Sequence, residues 1–238
     1  MKKLLALLLA LVMLFSLAAC SSSDDDDDDV RGSVSSDKDD DDDKDTDKDT
    51  DKDSDKDSDK DSDKKDEVEV GTTKNNTYKN EYAGIKCTLD SEWTFMTDEE
   101  IQANNEKTLD MLGSSYEEAI KEASFFTDMT ATHSNQTDSV SVGFEKTKLS
   151  ENAYAEASKD QTKAAFEQLG MTNVTVTVTE GKFVGETHAV MEITAKYSGR
   201  NMYEKLVVMD CGDYIVLVTA CTWNTNDCQD ILDSFKAL

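Results

Sequence analysis

Proline is absent from the 238-residue chain, and histidine occurs only twice, at His133 and His188. Without proline, the turns must rely on glycine, asparagine, aspartate and serine. A structural zinc site normally requires several cysteine or histidine ligands at close spacing. Two histidines so far apart in sequence therefore argue against a metal centre, and we expect no cofactor.

The familiar catalytic signatures are also missing. The folded part of the chain contains no G-x-S-x-G elbow, no H-E-x-x-H motif, no P-loop, no G-x-G-x-x-G fingerprint and no C-x-x-C pair. Each of these patterns places particular side chains or backbone N–H groups where a reaction needs them. Their absence argues against the common hydrolases, metalloproteases, nucleotide-binding enzymes and thiol oxidoreductases.

Positive charge is scarce. The chain has 52 Asp and Glu residues against 25 Lys and Arg residues, so its formal net charge is −27 at pH 7. Such a field repels nucleic acids, anionic polymers and anionic headgroups, which argues against binding driven by Lys and Arg. Cations and basic proteins are the partners that this charge permits, and we expect no nucleic-acid partner.

Long apolar runs are rare as well, and the main one lies at the N-terminus. Lys2 and Lys3 precede an apolar stretch over residues 4–17, and small residues up to Ala19 come directly before Cys20. The stretch is shorter than the roughly 20 residues that a membrane-spanning helix needs. This order of positive charge, short apolar stretch and small residues is typical of a cleaved export signal.

The segment resembles the lipobox of bacterial lipoproteins. The resemblance implies that a diacylglyceryl group joins the Cys20 thiol and that a peptidase then cuts between Ala19 and Cys20. Burial of acyl chains contributes about 0.8 kcal/mol per CH₂, and two chains hold a protein stably at a membrane. We therefore expect residues 1–19 to be a signal peptide, and the mature protein to be lipid-anchored on the extracytoplasmic face of the cell membrane.

Residues 20–66 contain hardly any apolar side chain after the cysteine. They consist of serines, an aspartate run at residues 24–29 and repeated Asp-Lys-Asp-Ser and Asp-Lys-Asp-Thr units. Such a composition cannot bury a core, so it predicts a disordered tether. The alternating aspartates also suggest diffuse Ca²⁺ binding, although the glycine and glutamate of a calcium-binding loop are missing.

Residues 67–238 have the periodicity of a single globular domain. Val174, Val176 and Val178 alternate with threonines, which predicts a strand that is buried on one face. Thr97 and Glu100 are spaced as a capping box at the start of a helix. Further strands are predicted at 77–82, 85–89, 125–132, 139–146, 186–197, 202–209 and 214–223, and helices at 97–112, 115–123, 151–169 and from 225 to the end.

Consecutive strands joined by short turns predict an antiparallel sheet, and the helices are long enough to cover it. The predicted fold class is therefore α+β, an α/β sandwich preceded by the disordered acidic tether. Several motifs resemble the PsbP-like sandwich domains of many bacterial lipoproteins: Asn80-x-Tyr82-x-Gly84, Trp93 after a short strand, Asp213-Tyr214-Ile215-Val216, and Ile231-x-x-Ser234-Phe235. The resemblance implies the same helix-covered sheet and an accessory or binding role, with no catalytic residue carried over.

Four cysteines remain in the predicted domain: Cys87, Cys211, Cys221 and Cys228. An extracytoplasmic location permits disulfides between them. Cys211 lies just before the predicted strand at 214–223 and Cys221 lies near its far end, about 33 Å away at some 3.3 Å per residue, so this pair is excluded. The other pairings stay open, and Cys228 is favoured as an apolar core residue of the last helix.

Aromatic side chains offer a candidate ligand surface. A groove for a carbohydrate or a peptide could be lined by Trp93, Tyr82 and Trp223. Alternatively, these side chains could fill the core and its edge. Carboxylates such as Asp90 and Glu92 crowd the same region as Trp93. A pair of carboxyl groups at a fixed separation can hydrolyse glycosides, so a hydrolase stays open.

These observations favour a non-catalytic binding or scaffold module of the cell envelope. Its partners would be the membrane, through the lipid on Cys20, and an envelope protein or a small ligand. Two alternatives remain: a cell-envelope hydrolase that uses the carboxylates near Trp93, and buffering of divalent cations by the tether. An enzyme is the less favoured interpretation.

Overall fold

The computed structural model describes residues 70–112 and 125–238. The strands in these residues are β1 (Thr72–Lys74), β2 (Thr77–Asn80), β3 (Ile85–Thr88), β4 (Trp93–Phe95), β5 (Phe125–His133), β6 (Ser139–Lys146), β7 (Thr172–Phe183), β8 (Glu186–Tyr197), β9 (Arg200–Cys211), β10 (Tyr214–Trp223) and β11 (Phe235–Ala237). The helices are α1 (Asp98–Leu112), α2 (Glu151–Gln168) and α3 (Cys228–Leu232).

The strands form two antiparallel sheets. One sheet has four strands in the order β1-β2-β3-β11, and the other has seven in the order β4-β5-β6-β10-β9-β8-β7. Buried side chains of the small sheet and of one face of the large sheet belong to a single hydrophobic cluster, so the two sheets pack together. Helix α2 lies on the opposite face of the large sheet, against β7, β8 and β9.

The predicted α+β sandwich, with helices covering the sheet as in PsbP-like domains, is wrong. The molecule is mostly β, and a second sheet covers one face of the central strands. The continuous C-terminal helix is wrong for a related reason. Helix α3 contains only five residues, and Phe235–Ala237 forms a strand that pairs with β3. Phe235 is buried, and backbone pairing with β3 places it there.

Most strands predicted from alternation are confirmed. Strands β6, β8 and β10 begin and end at the predicted residues. β10 lies in the middle of the large sheet and is buried along its whole length. Tyr214 and Val216 join the cluster under the small sheet, whereas Ile215 and Leu217 join the cluster under α2. This alternation follows from the two-residue period of a strand.

The helix termini agree with the sequence in part. The capping box is confirmed, because Thr97 Oγ1 accepts a hydrogen bond from Glu100 N (3.2 Å) and Glu100 Oε2 accepts one from Thr97 N (2.8 Å). Ser150 precedes α2, but its side chain makes no capping hydrogen bond. On α2, Tyr154, Ala165 and Phe166 are buried, whereas Ala157 is exposed. The helix predicted at 115–123 lies outside the described residues.

A half-buried carboxylate links the two sheets. Asp128 occupies a β-bulge, where the register of β5 against β6 shifts. Its carboxylate accepts hydrogen bonds from Gly71 N (2.9 Å), Tyr78 Oη (2.5 Å) and Asn80 Nδ2 (2.8 Å). Burial raises the pKa of this carboxyl group, and the hydrogen bonds oppose the rise. Residue 71 must be glycine, because a Cβ there would overlap the Tyr78 ring.

Candidate functional site

An open groove lies beside Trp93, between β3, β4 and α3. Its volume is about 280 Å³. The side chains that matter most for its chemistry are Trp93, His133, Asp90, Asp138, Asp227 and Asp230. The groove therefore combines aromatic and acidic side chains from segments that are far apart in sequence.

Strand pairing brings the two rings of the groove together. Trp93 on β4 is directly opposite His133 on β5, so their side chains lie on the same face of the sheet. The ring centroids are 5.2 Å apart, and the planes meet at 70° in an edge-to-face arrangement. His133 Nε2 also lies 3.8 Å from a carboxylate oxygen of the exposed Glu92. Trp93 is half-buried, so part of its indole ring stays accessible to a ligand.

The four aspartates make the groove acidic. Asp90, Asp227 and Asp230 are exposed, and Asp138 is half-buried. Asp138 has a structural role as well, because it accepts hydrogen bonds from Trp223 N (3.3 Å) and Asn135 Nδ2 (2.8 Å). It thereby connects the end of β10 to the turn between β5 and β6.

An aromatic face between carboxylates is suited to a cation. Indole rings attract ammonium and guanidinium groups, and carboxylates accept charge-assisted hydrogen bonds from them. A general acid for glycoside hydrolysis, by contrast, usually has its pKa raised by an apolar site. Three of the four aspartates face water, so the groove favours binding over hydrolysis. In residues 70–112 and 125–238, no group of three or more His, Cys, Asp or Glu side chains could hold a metal ion.

The structure does not bring the three predicted ligand-surface aromatics together. Only Trp93 lines the groove. Tyr82 packs edge-on against Tyr214, and its hydroxyl donates a hydrogen bond to the carbonyl of Cys211 (2.8 Å). Trp223 is buried in the cluster under α2, with the Arg200 guanidinium 5.2 Å from its ring centroid. Tyr82 and Trp223 therefore occupy core or core-edge positions.

The four cysteines of the described chain are free. Cys87, Cys221 and Cys228 are buried, and Cys228 is a core residue as predicted. Burial raises the pKa of the Cys87 and Cys228 thiols to about 11. These thiols remain protonated at neutral pH, which is typical of inert core cysteines.

Glu204 is a buried carboxyl group that the sequence analysis missed. It is 2% exposed and lies on β9 between Cys221 of β10 and Ile193 of β8, its cross-strand neighbours. Neither carboxyl oxygen has a hydrogen-bond partner among the described residues. Burial raises its pKa to about 8. The sequence does contain a signal of this burial, because Glu204 stands two residues from both Met202 and Leu206, which are buried on the same strand.

A second site that the sequence analysis missed lies where β8 and β9 diverge. Their pairing ends at Ala189, beyond which each strand pairs only with its other neighbour. The carboxylate of Glu151, the first residue of α2, accepts hydrogen bonds from Ala189 N (3.1 Å), Asp210 N (2.9 Å) and His188 Nδ1 (2.9 Å). His188 Nε2 is buried without a partner in the described part of the chain. No local sequence signal connects these residues, because they meet only in the tertiary structure.

Ala19, Cys20 and the tether lie outside the described residues. In the part of the chain that the structure describes, no helix has both the length and the apolar character that a membrane crossing requires. The lipid anchor therefore stays a prediction from the sequence.

No family model matches the chain, and no curated protein matches it. A solved structure similar to this chain is that of LpqN, described as involved in cell envelope biogenesis of Mycobacterium tuberculosis. The two are 8% identical with a TM-score of 0.35, and the match covers 64% of this chain and 82% of LpqN.

Proposed function

We propose that the chain is a lipoprotein, anchored through Cys20 on the extracytoplasmic face of a cell membrane, that acts as a non-catalytic binding module of the cell envelope. Its ligand is a cationic group, most simply a lysine or arginine side chain of a basic envelope protein. The observation that carries the proposal is the groove beside Trp93, where a half-buried indole and four aspartates line one cavity.

The charge of the whole chain supports a cationic ligand. A net charge of −27 attracts cations over distances comparable to the Debye length, and a groove concentrates that field. The carboxylates of Asp227 and Asp230 and the indole of Trp93 then supply short-range contacts to an ammonium or guanidinium group.

The size of the groove supports a small ligand group. Its volume of about 280 Å³ is near the lower limit of pockets that hold drug-sized ligands, roughly 300 Å³. A single basic side chain fits that space better than an extended polysaccharide does. This is a further reason to prefer a binding module to a glycoside hydrolase.

Fluorescence of Trp93 can test the proposal without interference from the acidic tether, which would itself attract a basic probe. The chain has two tryptophans, so the full chain carrying Trp223→Phe leaves Trp93 as the only one. Titration with a trilysine peptide should change the Trp93 emission in a saturable manner, and added salt should weaken the binding. A triglutamate peptide should cause no change.

Substitutions locate the binding site. In the same background, Asp227→Asn combined with Asp230→Asn should weaken trilysine binding by about tenfold or more, since two charge-assisted contacts are lost. Asp160→Asn, on the exposed surface of α2, is the matched control and should bind like the parent. A Trp93 signal that does not respond to trilysine would refute the proposal, and so would equal weakening by the control.

A further inference from the structure

Strand β7 forms one edge of the large sheet, and it is unusually long. It contains twelve residues, Thr172–Phe183, and pairs only with β8. The other sheet edges in the described residues are the three-residue strands β1, β4 and β11. Proteins usually shorten or charge their edge strands, because unpaired N–H and C=O groups recruit other chains. A long edge therefore suggests a pairing partner.

The composition of β7 strengthens this argument. Residues 172–179 read Thr-Asn-Val-Thr-Val-Thr-Val-Thr, so they carry no charge and no proline. Val174 and Val176 are buried against α2, whereas Thr175, Thr177 and Thr179 are exposed. Uncharged segments of β-branched residues on an open edge readily pair with other strands.

The side chains of Thr175 and Thr177 on β7 form hydrogen bonds toward β8. Thr175 Oγ1 is 2.5 Å from Thr194 Oγ1, and Thr177 Oγ1 donates to the carbonyl of Glu192 (3.4 Å). Both partners belong to β8. Toward the outer side, β7 has no strand partner in residues 70–112 or 125–238. Among the described strands, none occupies the outer side of the β7 backbone, which is therefore left for pairing with another chain.

We propose that β7 pairs in antiparallel orientation with β7 of a second copy of this chain, around a twofold axis. A twofold axis at Val176 would place Val174 opposite Val178 on one face and Thr175 opposite Thr177 on the other. Within residues 174–178, every pair is then valine with valine or threonine with threonine, as cross-strand packing of β-branched residues favours. This central part of the strand is complementary to itself.

Symmetry favours a second copy over another partner, and the uncharged stretch of β7 permits it. Two chains of net charge −27 repel each other, but residues 172–179 bring no two carboxylates opposite each other across the pairing. An isologous twofold interface uses both long edges and closes the assembly. Among the described strands, the edges that are then left unpaired are the three-residue strands β1, β4 and β11. Such short edge strands disfavour further growth into a polymer.

Sedimentation velocity of the full chain, in a detergent matched in density to the solvent, tests the proposal. The wild-type chain should sediment as a dimer that dissociates on dilution. Thr175→Lys combined with Thr177→Lys sets like charges opposite each other and should raise the dimer dissociation constant at least tenfold. Thr94→Lys, an exposed threonine on the opposite edge strand β4, carries the same type of charge change and should leave the dimer intact.

Several results would overturn the proposal. They are a wild-type chain that is monomeric at its highest soluble concentration, open polymers in place of dimers, or equal weakening by Thr94→Lys. Amide hydrogen exchange of the wild-type chain gives a test that does not depend on the folding of a variant. The β7 amides should become more protected as the protein concentration rises, and protection that does not depend on concentration would refute the pairing.

Discussion

Glu204 combines full burial with an ionisable side chain. Its carboxyl oxygens have no hydrogen-bond partner in the described chain, and burial raises the pKa to about 8. An unpaired buried charge costs several kcal/mol, so the group keeps its proton in the folded state at neutral pH. The unfolded chain, with a pKa near 4.5, releases that proton.

This difference predicts a pH-dependent stability. Between the unfolded pKa of 4.5 and the folded pKa of about 8, the folded state binds one more proton than the unfolded state. The contribution of Glu204 to the free energy of unfolding therefore falls as the pH rises through this window, by on the order of 1 kcal/mol per pH unit. Above the folded pKa, it reaches a constant lower value.

Glu204→Gln removes the titration, so the variant should gain stability relative to the wild type as the pH rises. Urea denaturation at several values between about pH 5 and pH 8 measures the difference. Glu180→Gln, an exposed substitution on β7, is the control and should follow the wild type. If the difference in free energy of unfolding between the wild type and Glu204→Gln were the same at every pH, the burial of the Glu204 carboxyl group would be contradicted.

At the scale of secondary-structure elements, the first residue of α2 holds two diverging strands. The carboxylate of Glu151 bridges the backbone N–H groups of Ala189 on β8 and Asp210 on β9. The pairing of β8 with β9 ends at Ala189, beside these donors. A helix residue thus supplies a hydrogen-bond acceptor to one backbone donor of each strand where the two strands separate.

Glu151→Gln should weaken this junction. One acceptor oxygen is replaced by an NH₂ group that faces N–H donors, so we expect a loss of about 1–3 kcal/mol in the free energy of unfolding. The amides of Ala189 and Asp210 should exchange faster with solvent, as measured by hydrogen exchange. Glu156→Gln, on the exposed face of the same helix, is the matched control. Unchanged exchange at Ala189 and Asp210 would rule out the bridging role.

The elements show which features a sequence can predict. The capping box at Thr97 and Glu100 and the strand containing Val174, Val176 and Val178 arise from residues within one element, so their patterns are visible in the sequence. The β11 strand could not be predicted, because the spacing of Ile231, Leu232 and Phe235 fits a helix equally well. Pairing with the distant β3 decides the outcome, and no local pattern records it.

At the scale of the whole molecule, the same distinction applies to the candidate site. The sequence pointed to Trp93 and to the carboxylate at Asp90, which are neighbours along the chain. It did not reveal that His133, Asp227 and Asp230 share their groove, because those residues arrive through strand pairing and the docking of α3. The second sheet was missed for the same reason: its four strands are short and join across the length of the domain.

Labelling of the full chain with palmitate in a bacterial host tests the anchoring on which the proposed function depends. The wild-type protein should incorporate the label, because acyl chains are attached at Cys20. The Cys20→Ser variant should incorporate none and should lose its association with the membrane fraction. A wild-type product without label, or equal labelling of the variant, would contradict the account.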